Sequence, residues 1–576
     1  REAFWFNSVR PRVILTEGIS PRDKTAAAHA RQVLDDELSA MHLAICSLRT
    51  RRNALSLISC LPAEILVRVF QFYAALQLPA SDKQHRLGWI NATHVCRLWR
   101  DTALQCPTLW TDVCFALGPQ WAEEMLCRTK TMPISLRSSV AGTSLGLSSL
   151  NLISKHLHRA RDILLIASPS FLKLILPHLP SPSSILETMM LGPFYDAQLL
   201  QIDTNFELPG IIAGCRFPRL RHLSLRGCWV HWSAPILCGL TYLEIQLNRA
   251  HMDAADGYLK SSPKKLFCAL KSMPALEILI LTDCFPSGPW IDGGSDILQL
   301  PRMKLLRLHG PSAACFGVAR WLRLPARCKV QIRCSDGADL AGLLQFLHAH
   351  VGAGINLPPW HTLQIVPNLP SGFRVEMWRP YHAFEERPKA DNADLLIWFH
   401  DVEQSLRPLK VLCQVLPLET IRIVCVIVGT HDLSLSDWIG ILGRCTEIQQ
   451  AVVGGDHALS FCKALSMTTD CRPVASLRNC VQERLFLGKL KVLRVVDVPF
   501  PSRFVEVEPH SPRRQLVQWL TERQHVEAVP RLTIQLCRCG IKEEWVEALR
   551  EVVVVEWDGI EGSMERRPAL EVYEVW

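Results

Sequence analysis

A short apolar pattern, spaced Leu-x-x-Leu-x-Leu and closed by Asn or Cys three residues later, recurs along this 576-residue chain and leaves it few ways to fold. Leu220, Leu223 and Leu225 precede Cys228; Leu240, Leu243 and Ile245 precede Asn248; Leu276, Leu279 and Leu281 precede Cys284. A late copy runs Val529, Leu532, Ile534 and Cys537. Shorter copies carry Met189 and Leu191, Leu306 and Leu308, Val330 and Ile332, Leu363 and Ile365, Ile421 and Ile423, and Leu493 and Val495, with a first at Ile163 and Leu165. The step of two within each copy is that of a strand with one buried face. A single unit of this kind cannot hide its apolar side, so the copies must stack.

The pattern resembles leucine-rich repeats. That resemblance implies an α/β architecture in which residues 121–576 form an irregular repeat solenoid, entered by a helix at Trp121–Arg128 and a strand at Pro133–Leu136. The uneven spacing leaves another α/β fold as the alternative. The Asn or Cys side chain would turn inward after each strand and bond the neighbouring coil, which accounts for Cys228, Cys284 and Cys537 without metal or disulfide. Alternation puts Ser224, Arg226, Glu244, Gln246, Thr282, Arg307, His309, Gln331, Arg333, Arg422 and Arg494 on the concave side. Arg226, Arg307, His309, Arg333, Arg422 and Arg494 are the candidate substrate-binding residues, because guanidinium groups pair carboxylates and phosphates through two parallel bonds. A solvated face without such a task is the competing reading. The acidic stretch after Ile541, with its Val552–Trp557 run, is expected to close the array.

Residues 60–113 carry a different signal. Leu61-Pro62-Ala63-Glu64-Ile65-Leu66 starts a helix with Pro where a missing N–H costs nothing, and Ile65, Leu66, Val69 and Phe70 form an apolar set. A polar loop around Ser81–Arg86 leads to a second helical stretch, Asn91–Leu104, containing Val95-Cys96-Arg97-Leu98-Trp99-Arg100; Pro107, Leu109 and Trp110 follow. These three elements in this order resemble an F-box, in the form found in fungal F-box-like proteins. The resemblance implies docking on a Skp-type adaptor and, through it, on a cullin–RING ubiquitin ligase. The adaptor contacts would be Leu61, Pro62, Ile65, Leu66, Val69, Phe70, Val95, Cys96 and Trp99. The longer loop between the helices departs from the pattern and leaves their relative placement open.

Residues 23–57 read as a helix whose Leu34, Leu38, Met41, Ile45, Leu48, Arg52 and Leu55 alternate steps of four and three. Either the seam is a short coiled coil with another chain, or the helix packs on its own following domain; an Arg in so short a seam favours the second. Hydrophobic residues make up 48% of the chain, which excludes disorder, and the formal net charge of +8 is too small to imply nucleic acid. The best candidate for a membrane span, Lys410–Gly429, contains Pro417, Glu419 and Arg422, so no membrane association is expected. The 22 cysteines include no CxxC pair and are expected to be reduced, in the cytoplasm or nucleus. The chain begins at Arg1 rather than Met, so its start is expected to be missing.

Enzyme signals are sparse. Gly142-Thr143-Ser144-Leu145-Gly146 matches G-x-S-x-G, but no oxyanion loop precedes it. Gly352-Ala353-Gly354, His156/His158 and His348/His350 lack the companions that nucleotide or metal chemistry needs. The expectation is a non-enzyme without cofactor or metal: a substrate-recognition adaptor of a Skp–cullin–F-box ligase whose protein substrate is acidic or phosphorylated. The alternative is a repeat-based interaction scaffold outside ubiquitination, and a hydrolase built on Ser144 is a third reading.

Overall fold

In a computed structural model, residues 2–79, 87–139, 147–179, 185–192, 205–248, 262–286, 290, 297–336, 340–350, 358–367, 372–380, 390–400, 406–427, 433–476, 482–498 and 512–560 are described. Gly142–Gly146 and Gly352–Gly354 lie outside them. The chain divides into two compact units, Arg1–Ala167 and Ser168–Trp576. Among the described residues, no helix is long and apolar enough to cross a membrane. No described cysteine is in a disulfide.

The first unit opens with two helices, α1 (Glu2–Ile14) and α2 (Lys24–Ala54). Asp23 caps α2 by accepting from the amides of Thr25 and Ala26, both at 3.1 Å. Then come α3 (Ala63–Leu76), α4 (Arg97–Leu104) and α5 (Pro119–Arg128), with strands β1 (Asp112–Cys114), β2 (Ile134–Ser139) and β3 (Ala160–Ile166) pairing in parallel. Ile163 and Leu165 are buried. The expected Asn91–Leu104 helix is split. Gly88–His94 is a 3-10 turn, and extended backbone at Cys96 separates it from α4. Gly88 (φ +53°) makes the tight entry possible, since a Cβ there would lie 2.6 Å from the Gln77 carbonyl oxygen.

The second unit is a parallel sheet backed by helices, the arrangement of a repeat solenoid. Its strands are β4 (Thr188–Gly192), β5 (His222–Arg226), β6 (Tyr242–Gln246), β7 (Ile278–Thr282), β8 (Leu305–Gly310), β9 (Lys329–Cys334), β10 (Thr362–Pro367), β11 (Gly372–Trp378), β12 (Leu395–His400), β13 (Ile423–Ile427), β14 (Gln450–Gly454), β15 (Val492–Val496), β16 (Thr533–Cys537) and β17 (Val554–Trp557). Leu223, Leu225, Leu243, Ile245, Leu279, Leu281, Leu306 and Leu308 all point into the core with no measurable exposure. Behind the sheet, helices Ser312–Trp321, Leu340–His350, Arg407–Val415, Leu435–Leu442, Ala458–Ala464, Pro512–Gln524 and Glu543–Arg550 each pack on the next.

The strands do not follow this simple succession. After β9 the sheet continues with β12, then β11, then β10, and only then β13. β11 runs antiparallel to both neighbours, while β9 with β12 and β10 with β13 remain parallel. An up-down-up excursion therefore sits inside the parallel array. Gly372 (φ +137°) opens β11 where a Cβ would fall 2.1 Å from the Phe399 carbonyl oxygen.

Four of the copies share one turn geometry. Gly227, Asp283, Asp497 and Arg538 all have positive φ, and each precedes a buried residue: Cys228, Cys284, Val498 and Cys539. Cys284 Sγ donates to the Ile245 carbonyl at 3.5 Å and Cys539 Sγ to that of Val495 at 3.4 Å. In the last copy the inward thiol is thus Cys539. Cys537 is half-buried on the opposite face beside Cys425, Val452 and Val496, because the buried pair there is Ile534 and Leu536.

Arg523, on Pro512–Gln524, is fully buried. It donates to the carbonyls of Leu465 (3.3 Å), Phe486 (3.0 Å) and Leu487 (2.6 Å), and burial pulls its pKa down to about 10, so it stays charged at neutral pH. Arg523→Met would leave those carbonyls unpaired, and the expected loss is about 2–4 kcal/mol, read from the urea midpoint of the full chain.

Candidate functional site

Two surfaces carry the candidate residues, one in each unit. In the first, α3 divides the apolar set that the sequence put on one face. Leu66 and Phe70 are each 1% exposed and turn inward, where the Phe70 ring meets Trp99 with centroids 5.2 Å apart. Trp110 closes this small core: its indole N–H donates to the Ala103 carbonyl at 2.9 Å, it meets Trp89 at 4.9 Å, and the Arg128 guanidinium lies 4.2 Å above its ring. Leu66 and Phe70 are therefore structural rather than contact residues. Cys96 and Trp99 are half-buried.

The outward side of α3 is apolar too. Ile65, Val69, Phe72 and Leu76 fall at successive steps of four, three and four, and all are exposed. Leu61, Pro62, Val95 and Leu98 are exposed as well. Phe72 and Leu76 extend the row beyond the candidates taken from sequence; their helical spacing from Val69 was the available signal. So large an apolar stripe, with the helix's own core already filled from the other side, is the mark of a docking surface. Residues 58–116 match the family model described as F-box-like. The chain carries an F-box-like domain. No curated protein matches the chain. Among solved structures, a leucine-rich-repeat protein of Leptospira interrogans is similar at 11% identity, with a TM-score of 0.29, over 80% of this chain and 98% of that one.

The second surface is the sheet face turned away from the helices. Strand register lines up Arg307, Gln331, Leu396, Glu376, Gln364, Cys425, Val452, Arg494 and Gln535 in one row, and His309, Arg333, Trp398 and Arg374 in the next. Most of the sequence candidates here are held by neighbours. Arg226 Nε donates to Glu244 at 3.0 Å, Arg307 Nε to Gln331 at 2.8 Å, and Arg494 Nε to Gln535 at 2.9 Å. Arg422 is off this face. It precedes β13 and is exposed, between the buried Ile421 and Ile423.

The strand excursion builds what the sequence did not reveal. Trp398 lies between two guanidinium groups, with Arg333 4.8 Å and Arg374 5.4 Å from its ring centroid. His400 stacks on the same Trp398 at 4.9 Å and lies 6.4 Å from His309. Glu376, 1% exposed, pairs with Arg374 at 2.5 Å. The alternation Phe373-Arg374-Val375-Glu376-Met377 was a visible strand signal, but its pairing with β12 was not. Further along, Cys425, Val452 and Val496 form a buried apolar patch that interrupts the basic residues among the described residues of this face.

At the β5–β6 end a closed polar network forms. Glu244 accepts from Ser224 Oγ (2.7 Å), Tyr242 Oη (3.0 Å) and Arg226, while His222 stacks on Tyr242 at 3.7 Å. Burial pushes the Glu244 carboxyl up, but these donors and the Arg226 charge outweigh it and hold the pKa below its ordinary value. The Tyr242 hydroxyl goes up to about 12, through burial and the adjacent carboxylate. A lowered folded-state pKa stabilises the fold above the ordinary carboxylate pKa of about 4.5, and the stabilisation is lost as pH falls through the folded-state value. Glu244→Gln should flatten the acid limb of a stability–pH profile below about 4.5, measured by urea unfolding.

Proposed function

We propose that this chain is a substrate-recognition adaptor of a Skp–cullin–F-box type ubiquitin ligase. The observation that supports this reading best is the uncovered row Ile65, Val69, Phe72 and Leu76 within the F-box-like domain, flanked by Leu61 and Pro62. A Skp-type adaptor would cover that row, and its apolar side chains would supply most of the affinity. The chain contributes no bond-making step on this reading. It holds a protein substrate near the ubiquitin-loading enzyme and raises the local concentration of acceptor lysines. Such a ligase works inside the cell, where thiols stay free; nine of the described cysteines are buried.

Substrate recognition belongs to the open sheet face, at Arg333, Trp398 and Arg374. Two guanidinium groups beside one indole are pre-oriented, which lowers the entropy cost of meeting a carboxylate or phosphate; that anion would share Arg374 with Glu376. An acidic or phosphorylated segment fits that chemistry, with His309 and His400 beside it.

Ile65→Glu with Val69→Glu should abolish co-purification with a Skp-type adaptor while leaving the far-UV circular dichroism unchanged; undiminished capture would favour a scaffold outside ubiquitination. Arg333→Glu with Arg374→Glu should leave adaptor capture intact but remove substrates that accumulate under proteasome inhibition, as read by proximity labelling.

A further inference from the structure

We infer that α2 is a self-association element, and that two copies of this chain pair through it in antiparallel orientation. Leu38, Ile45 and Leu48 are exposed along the helix, Leu34 and Met41 are half-buried, and Ala30 is its one buried residue. The seam is therefore not covered by the following domain, in contrast to the expectation from sequence. Alternating steps of four and three bring these residues onto a single stripe.

The occupant is set by charge. Taking Leu38, Ile45 and Arg52 as one seam position and Leu34, Met41 and Leu48 as the other, Asp35 and Arg49 share one flank, while Glu37 and Arg51 share the opposite flank. In an antiparallel pair, like flanks meet. Centring two copies on Leu43 layers Leu38 against Leu48 of the second copy and Met41 against Ile45. The same register sets Asp35 against Arg49 and Glu37 against Arg51, and symmetry repeats both pairs. A parallel pair in register would set Glu37 against His42 and Arg49 against Ala44, with no such match. Flank charges of this kind select partner and orientation. Asp35, Arg49 and Arg51 are exposed and open to it. Glu37 is already paired with Arg12 of α1, and Arg51 of the second copy adds another cation to that carboxylate. The seam ends where Leu34 meets Arg52, whose stem can lie along it with the charge in water.

Sedimentation velocity of the full chain over a range of concentrations should show a monomer–dimer equilibrium that weakens as salt is raised. Arg49→Glu with Arg51→Glu should weaken the dimer on the order of tenfold or more, because every flank pair becomes repulsive. Asp35→Lys with Glu37→Lys should do the same. Mixing the two double variants should restore assembly as a heterodimer, which also shows that neither variant fails merely by misfolding. A chain that stays monomeric at every concentration, a dimer indifferent to these reversals, or mixed variants that do not recombine would each overturn the inference, as would α2 engaging only a different protein.

Discussion

The leucine ladder behind the sheet is the constraint on which the second unit rests. Side chains on a strand alternate strictly between faces, and parallel register keeps each face aligned from one strand to the next. Once Leu223, Leu225, Leu243, Ile245, Leu279 and Leu281 are committed to the helix side, every residue between them must face outward. The chain must then leave the strand sharply enough to reach the helix layer. The positive-φ turn at Gly227, Asp283, Asp497 and Arg538 does this, and the residue that follows is carried into the core. At Asp283, Asp497 and Arg538 the conformation is one that L-residues disfavour, so packing on both sides must hold it.

What the ladder leaves free is what the protein has available for recognition. On the outward face, neighbours from different strands decide whether a charged side chain is satisfied or available. Arg226 is paired with Glu244, Arg307 with Gln331, Arg494 with Gln535 and Arg374 with Glu376. The reversal of β11 sets Arg374 beside Trp398, opposite Arg333, and gives the face its aromatic and cationic centre. The same division operates on α3. Its inward residues Leu66 and Phe70 complete a core with Trp99 and Trp110, which frees its outward apolar residues for a partner.

Much of this was legible beforehand. Short-range patterns marked the strands at Leu223, Leu243, Leu279 and Leu306, the Pro-initiated helix at Ala63, and the F-box-like segment, because alternation, helix initiation and turn chemistry act over a few residues. In the last copy the inward residue was placed at Cys537, two residues early, because Leu532, Ile534 and Leu536 are all buried and the spacing alone does not say which pair belongs to the strand; near Ile421 the run Ile423-Val424-Cys425-Val426 is apolar on both faces, so alternation cannot be read from it. Leu66 and Val69 could not be told apart on α3 for a similar reason: both are apolar, and only the position of Trp99 says which side is core.

By itself the sequence determined that the chain would be a helical amino-terminal part followed by stacked strand-and-helix repeats, and which leucines would fill the core. Local spacing encodes those choices, and burial enforces them. The tertiary structure alone decided the order β9, β12, β11, β10, β13, the thiol that turns inward at Cys539, and the meeting of Arg333, Trp398 and Arg374. Those outcomes depend on which distant strand becomes a neighbour, and residues 333, 374 and 398 come together only through backbone pairing that no local periodicity specifies.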